Sequence, residues 1–300
     1  MGRLEACPTS NRKRMIVQAA SHIRGGTSAN ESESNVAARR RLLSLPPEPL
    51  FYSDWERAVF IHYEVDPQRL QRDVPFALDL RNGRAYLSLV AFTMRNMRPR
   101  VGGPLTRWLF KPIGTHDFLN VRTYVRHRGE PGIYFLAEWL SNRWSVKIGP
   151  LTFGLPYRFG HLNYEHFHER GELNGEILNS SRTQRLSYRA WFRERNAFCP
   201  SPPGTLEEFL LERYTAFTRR GKAERFFRIW HPRWRQASLD VRIEEDSLLR
   251  ANWPWFSEAR LMGANYSRGV ENVWMGWPHG ISKLANPPGR SVLSAFWEMP

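Results

Sequence analysis

Between residues 50 and 280 apolar and polar positions alternate with a period close to two, so the chain predicts strands far more often than helices. Residues 58–65 read as a strand, and Asp66-Pro67 behind it as the cap and first position of a short helix. Residues 78–97 hold a strand, the dipeptide Asn82-Gly83 and a long second strand, the strongest hairpin signal in the chain. Residues 119–126 alternate well, Arg128-Gly129-Glu130-Pro131-Gly132 turns the chain, and 133–139 run back. A third β region covers 158–193, with breaks near Arg170-Gly171 and at 180–182. Helical periodicity is sparse. Thr205 and Glu208 form a capping-box signature before an amphipathic run over 205–217, and a short helix is predicted over 142–148. The fold class is α+β with the sheet dominant, and so many strands point to a closed or nearly closed barrel.

Composition sets the limits of this domain. The stretch 25–34, Gly25-Gly26-Thr27-Ser28 onward, has almost nothing to bury, so residues 1–45 are expected to be a disordered basic extension. Leu45-Pro46-Pro47-Glu48-Pro49 stiffens the entrance. Ala285-Asn286-Pro287-Pro288-Gly289 marks the exit, which gives a core domain over 46–282 and a tail over 283–300. Twelve tryptophans argue against global disorder. No apolar run is long enough to span a bilayer, and the first residues lack a secretory pattern. Two cysteines, Cys7 and Cys199, are too few for a disulfide framework, which makes the cytoplasm the expected compartment.

The net charge of +15 raises the question of nucleic acid. Residues 1–45 carry eight Lys/Arg against three Asp/Glu, so +5 sits on the extension and +10 is spread over the rest. No element concentrates the charge and no nucleic-acid motif is present, which argues against such a partner. Arg39-Arg40-Arg41 reads as a solvated run.

Candidate chemistry is scattered. His161, His166 and His168 lie near Glu165 and Glu169, but the segment lacks a clear third ligand, and no metal is assigned. Cys199 has no paired base in sequence, and neither a nucleophile elbow nor a phosphate-binding glycine loop occurs. His231, between Trp230 and Trp234, reads as a buried, hydrogen-bonded histidine. Asn120, Arg122 and Tyr124 share one strand face. A guanidinium on an inward face needs a partner or a hydrated pocket, whereas on an outward face it is an ordinary surface group. The period alone allows either.

Several segments together resemble one bacterial family: Phe60-Ile61-His62-Tyr63-Glu64-Val65-Asp66-Pro67, Gly83-Arg84-Ala85-Tyr86, Asn120-Val121-Arg122-Thr123-Tyr124-Val125, Gly129-Glu130-Pro131-Gly132, Phe153-Gly154-Leu155-Pro156-Tyr157, Glu212-Arg213-Tyr214 and His231-Pro232-Arg233-Trp234. Over roughly residues 50–280 the chain resembles domain-of-unknown-function family 2071, the YqjF-like proteins. The resemblance implies the acetoacetate decarboxylase-like fold, a β-barrel or cone with a buried pocket and a few peripheral helices. It also implies where the pocket lies. The decarboxylase segment ending in Pro-Lys-Lys corresponds to 149–158, so Tyr157 stands at the imine-forming lysine and Arg158 at its neighbour. Phe118 stands at a pocket glutamate, which places Asn120, Arg122 and Tyr124 on the pocket face by parity. A phenol cannot form an imine, and Lys147 lies ten residues too early, so the fold carries over without the reaction.

Three functional readings follow. The first is a protein that binds a small acidic molecule in a barrel pocket, without cofactor, using Arg122, Tyr157, Asn120, Tyr124 and Arg158 as candidate ligand-binding residues. The second is a lyase or hydratase-like enzyme using acid–base chemistry on a carbonyl substrate. The third, a nucleic-acid or partner-binding module, would use the basic tail and surface.

Overall fold

The structure is a computed structural model that describes residues 35–102, 106, 108, 110–193 and 198–284. Thirteen strands form one sheet: β1 Phe51–Val65, β2 Ala85–Pro99, β3 His116–His127, β4 Glu130–Leu140, β5 Tyr157–Glu165, β6 Glu172–Asn179, β7 Arg185–Phe192, β8 Cys199–Pro200, β9 Thr215–Arg220, β10 Ala223–Trp230, β11 Arg235–Glu245, β12 Arg260–Met275 and β13 His279–Gly280. Among the described residues five α-helices border it: α1 Asn35–Leu43, α2 Pro67–Asp73, α3 Arg143–Thr152, α4 Leu206–Leu211 and α5 Ser247–Asn252. Among the described residues no helix is long and apolar enough to cross a membrane.

The strand order runs β12-β1-β2-β3-β4-β5-β6-β7-β11, and β11 returns to β12, so these strands close a ring. A second ring shares β12, β1, β2, β3 and β4 and is closed by β9 on β4 and β10 on β12. The five shared strands are therefore walls of two cores. On one face Val59, Ile61, Leu87, Leu89, Leu119 and Val121 meet Leu173, Ile177 and Tyr188 of the first ring. On the other face Phe60, Val90, Phe92, Phe118 and Tyr124 meet Ala216, Phe227 and Ile229 of the second. Burial on both faces explains the near-continuous apolar runs in β1 to β3. A large side chain buried there contributes about 1.5–3 kcal/mol.

Local signals place most elements. Asp66 accepts a hydrogen bond from the Arg69 amide at 2.8 Å with Pro67 in the first turn, and α2 starts there. Asn82 and Gly83 have φ of 52° and 75° and turn the chain into β2. The first arm of that hairpin is no full strand, only the isolated bridges of Leu78 with Val125 and Arg81 with Arg84. Gly269 sits beside an irregularity of β1 at φ 128°, where a Cβ would lie 2.2 Å from the Trp55 carbonyl.

Three expected boundaries move. The extension expected to reach residue 45 is shorter, because α1 docks on β10 with Leu42 and Ala38 buried. The Trp230 indole donates to the Asn35 carbonyl at 3.1 Å, and the Arg39 guanidinium lies 4.7 Å from the Trp274 ring. Residues 1–34 and 285–300 lie outside the described residues. At the other end Leu284, expected in the tail, is buried in the first core. The helix expected over 205–217 stops at Leu211, since Arg213 turns inward to Asp79 and β9 begins at Thr215.

Candidate functional site

A row of polar residues crosses the shared sheet on the face of the second core. His62 on β1 stands opposite Ser88 on β2, and Ser88 stands opposite Arg122 on β3. Asn120 on β3 stands opposite Glu138 on β4, which in turn stands opposite Tyr157 on β5. All but Tyr157 are buried, and Tyr157 is partly so. Neighbouring strands are about 4.8 Å apart and residues rise about 3.3 Å, so the Cα atoms of Arg122 and Tyr157 are roughly 12 Å apart before their side chains converge.

One half of this row is a closed hydrogen-bond relay. Tyr124 Oη lies 2.5 Å from Ser88 Oγ, Ser88 Oγ lies 2.7 Å from His62 Nδ1, and His62 Nε2 lies 3.1 Å from Asn265 Oδ1. Burial, with the Arg122 charge adding to it, pulls the His62 imidazole down to about 3, so it is neutral. Since Asn265 Oδ1 only accepts, Nε2 carries the proton and Nδ1 accepts from Ser88. The single proton of the Tyr124 hydroxyl is shared between Ser88 Oγ and the Leu210 carbonyl, 2.9 Å away, and that carbonyl also accepts from Arg122 Nη2 at 3.0 Å.

The other half is open. Three arginines of the chain's described part are buried: Arg122, Arg213 and Arg228. Arg213 contacts Asp79 at 2.8 Å and Arg228 contacts Glu130 at 2.8 Å. Arg122 has no carboxylate within ion-pair distance among the described residues. Its Nε lacks a hydrogen-bond partner, as do Asn120 Oδ1 and Glu138 Oε2. Burial raises the Glu138 carboxyl well above its ordinary value, and the Arg122 charge opposes this only in part. Burial also raises the Tyr157 phenol, with the Glu138 charge adding to it. Two acids whose neutral forms burial favours thus stand side by side, next to a cation with no ion-pair partner among the described residues.

Local packing fixes Tyr157. Its ring lies edge-on to Phe118 with centroids 6.0 Å apart, and it rests on Gly149 of α3, where a Cβ would come within 2.2 Å of the ring. Asn142 caps α3, accepting from the amides of Trp144 and Ser145, and so orients that cradle. Of the five candidates read from the sequence, Asn120, Arg122, Tyr124 and Tyr157 lie on this face. Arg158 does not. It alternates away from Tyr157, is exposed, donates to Asn252 Oδ1 and lies over the Trp139 ring at 5.2 Å. Lys147 is exposed and lies over Trp144 at 5.8 Å.

Glu138, His62 and His116 were missed. A lone carboxylate inside the apolar run 133–140 was the available signal for Glu138. His166 is occupied structurally, with its ring nitrogens 2.8 Å from the Arg57 carbonyl and 2.8 Å from the Tyr188 hydroxyl. Among the described residues no group of three metal-binding side chains occurs. His231 is buried, with Nδ1 2.8 Å from the Pro232 carbonyl.

Comparison with known proteins places this geometry. Residues 52–271 match the DUF2071 family, uncharacterized conserved protein. The YqjF protein of Bacillus subtilis (strain 168) is 27% identical over 204 residues, which is 66% of this chain and 79% of that protein. An acetoacetate decarboxylase-like enzyme from Sphingomonas wittichii RW1 shares the fold with a TM-score of 0.54 at 14% identity, covering 78% of this chain and 94% of that one. The enduracididine biosynthesis enzyme MppR complexed with pyruvate matches with a TM-score of 0.53 at 13% identity, covering 79% of this chain and 91% of that one. At such identities the solved structures speak for the fold, which is acetoacetate decarboxylase-like.

Proposed function

We propose that this chain, which belongs to the DUF2071 family, binds a small acidic molecule at Arg122, Asn120, Glu138 and Tyr157, without imine chemistry and in the cytoplasm. One observation carries the reading: Arg122 is a buried guanidinium without a carboxylate partner among the described residues, while Arg213 and Arg228 each have one. An uncompensated buried charge is costly, and a ligand carboxylate would remove that cost through charge-assisted hydrogen bonds. A hydroxyl or N–H on the ligand would donate to the unpaired oxygens of Asn120 and Glu138. MppR, of the same fold, is complexed with pyruvate, an acid of this size class.

The test is calorimetric titration with short 2-oxo and 3-oxo carboxylates against the protein and its Arg122→Met variant. Losing the contact should weaken binding by about 2–5 kcal/mol, with a much smaller change in fold stability because the partner charge leaves with the ligand. Equal affinity in the two proteins, or no binding by any acid, overturns the reading.

A second reading, acid–base chemistry on a carbonyl substrate, is favoured by the adjacent Glu138 and Tyr157, both shifted toward their neutral forms by burial. Glu138 would hold a proton over the substrate carbonyl, and Tyr157 would hydrogen-bond the oxygen that gains charge. Under that reading Glu138→Gln keeps binding and loses turnover.

A further inference from the structure

Beyond Tyr157 lies a cavity of about 890 Å³, within the size range of small-molecule sites. Met94, Met97, Ile113, Ile148 and Phe153 give it an apolar wall. Tyr157 and His116 interrupt that wall with polar groups. His116 is 6% exposed, and among the described residues neither ring nitrogen makes a well-formed hydrogen bond, the Ile113 backbone giving it only weak support. Burial pulls its imidazole down to about 4, the Ile113 backbone opposing this only in part. A neutral ring offers one donor and one acceptor, and leaving both unmet in the interior is unfavourable unless a bound molecule meets them.

Arg220 and Arg225 also border the cavity, but they are engaged elsewhere. Arg220 donates to the Leu151 carbonyl at 2.8 Å, and Arg225 donates to Thr152 at 3.2 Å and Pro278 at 3.4 Å. They satisfy carbonyls at the end of α3, so a buried anion is better served by Arg122. The two regions meet at Phe118 and Tyr157: Phe118 touches His116 with centroids 4.6 Å apart, and Tyr157 stands opposite Glu138 while lining the cavity.

We infer that the cavity holds the apolar tail of the acidic ligand: the ligand class is a carboxylic acid with an alkyl or aryl substituent, its carboxylate at Arg122, a polar group at Tyr157 and His116, and its tail against Met94, Met97 and Ile148. This rests on the acid-binding reading above and adds the substituent. A molecule that reaches from Arg122 past Tyr157 is necessarily extended.

The experiment is titration calorimetry with straight-chain 2-oxo acids from four to ten carbons, and with 1-alkanols of matching length. Affinity should rise about fourfold per methylene once the chain passes Tyr157. Met97→Trp and Ile148→Trp, both at only partly buried or exposed positions, should abolish that gain. Unaltered melting temperatures certify their folds. A flat chain-length series, or a full gain retained in both variants, overturns the inference while leaving Arg122 binding intact. Chain-length gain in the alkanols with no binding of any acid overturns the acid-binding reading and with it this ligand class.

Discussion

Replacing Asp79 by Asn isolates the charge pair that holds α4 in place. Asp79 Oδ2 meets Arg213 Nη1 at 2.8 Å and Oδ1 meets Arg126 Nε at 3.1 Å, with side-chain exposures of 2% for Asp79 and 5% for Arg213. Arg213 is further held by its Nε donating to the Phe209 carbonyl at 2.8 Å and by the Phe209 ring 4.0 Å beneath it. Asn keeps the shape, removes the charge and turns a donor toward donors. Breaking a buried pair from one side costs about 3–5 kcal/mol, since the other charge stays buried and unpaired. For a domain of this size that is a drop in melting temperature of roughly 6–20 °C. Urea titration followed by circular dichroism gives the same quantity independently. The double variant Asp79→Asn/Arg213→Met removes both charges and should recover at least half of the loss. Leu210, three residues before Arg213, gives its carbonyl to Arg122 and Tyr124, so the single variant should also weaken acid binding. A single-variant loss under about 1 kcal/mol would place the pair among solvent-screened surface contacts and refute the argument.

The remaining predictions are more local. Leu42→Ala should cost about 2–5 kcal/mol in urea titration, because Leu42 is fully buried under α1; a change within about 0.5 kcal/mol, as at surface sites, would mean that α1 is not docked. Four buried histidines are pulled down, His62 to about 3 and His116, His166 and His231 to about 4. A depressed base contributes stability that is present above its unfolded value near 6.5 and lost as pH falls through the folded value, so acid weakens the fold across that window. Each such histidine contributes about 1.4 kcal/mol per pH unit. The raised carboxyls of Glu138, Glu48 and Glu212 act with the opposite sign. The discriminating measurement is therefore the difference in slope between pH 6 and pH 4.5 when His62→Asn is compared with the parent, and an identical slope counts against a buried neutral His62. Borohydride reduction with a 3-oxo acid should leave the intact mass unchanged, and an adduct mapped to Lys147 would restore imine chemistry.

Legibility differed between fold and site for a structural reason. Period-two patterns, the Asn82-Gly83 turn and the Asp66-Pro67 cap are local, and the elements they mark are present except the first arm of the hairpin, which is reduced to isolated bridges. Glu138 was hidden by a bulge. Ile133 and Phe135 face the second core, so simple alternation sends Ala137 to that face and Glu138 to the other. Instead Val121 pairs with Ala137 while Arg122 pairs with Phe135, which leaves Leu136 as an extra residue. That residue shifts the parity and turns Glu138 onto the face of Asn120 and Arg122. No pattern in the strand itself announces the shift. The tail boundary failed differently: α1 is nearly half arginine and asparagine, and only two of its side chains, Ala38 and Leu42, are buried, too few to register as a core-forming face.

A strand buried on both faces gives its polar residues no route to solvent, so each must be met by the protein or by something bound. On the shared sheet most are met. Thr123 Oγ1 donates to the Tyr86 carbonyl at 2.7 Å, and Ser88, His62, Tyr124 and Asn265 satisfy one another. The unmet atoms of Asn120, Arg122 and Glu138 fall together on two adjacent strands, on one face, beside the phenol of Tyr157. Scattered unmet atoms would read as local packing faults, each costing about 1–3 kcal/mol. Three that converge, one of them on a cation with no counter-charge among the described residues, can be met by one molecule that brings an anionic group to Arg122 and a hydrogen-bond donor to the Asn120 and Glu138 oxygens. This convergence, more than the fold shared with decarboxylases, separates a ligand site from a polar flaw in the core.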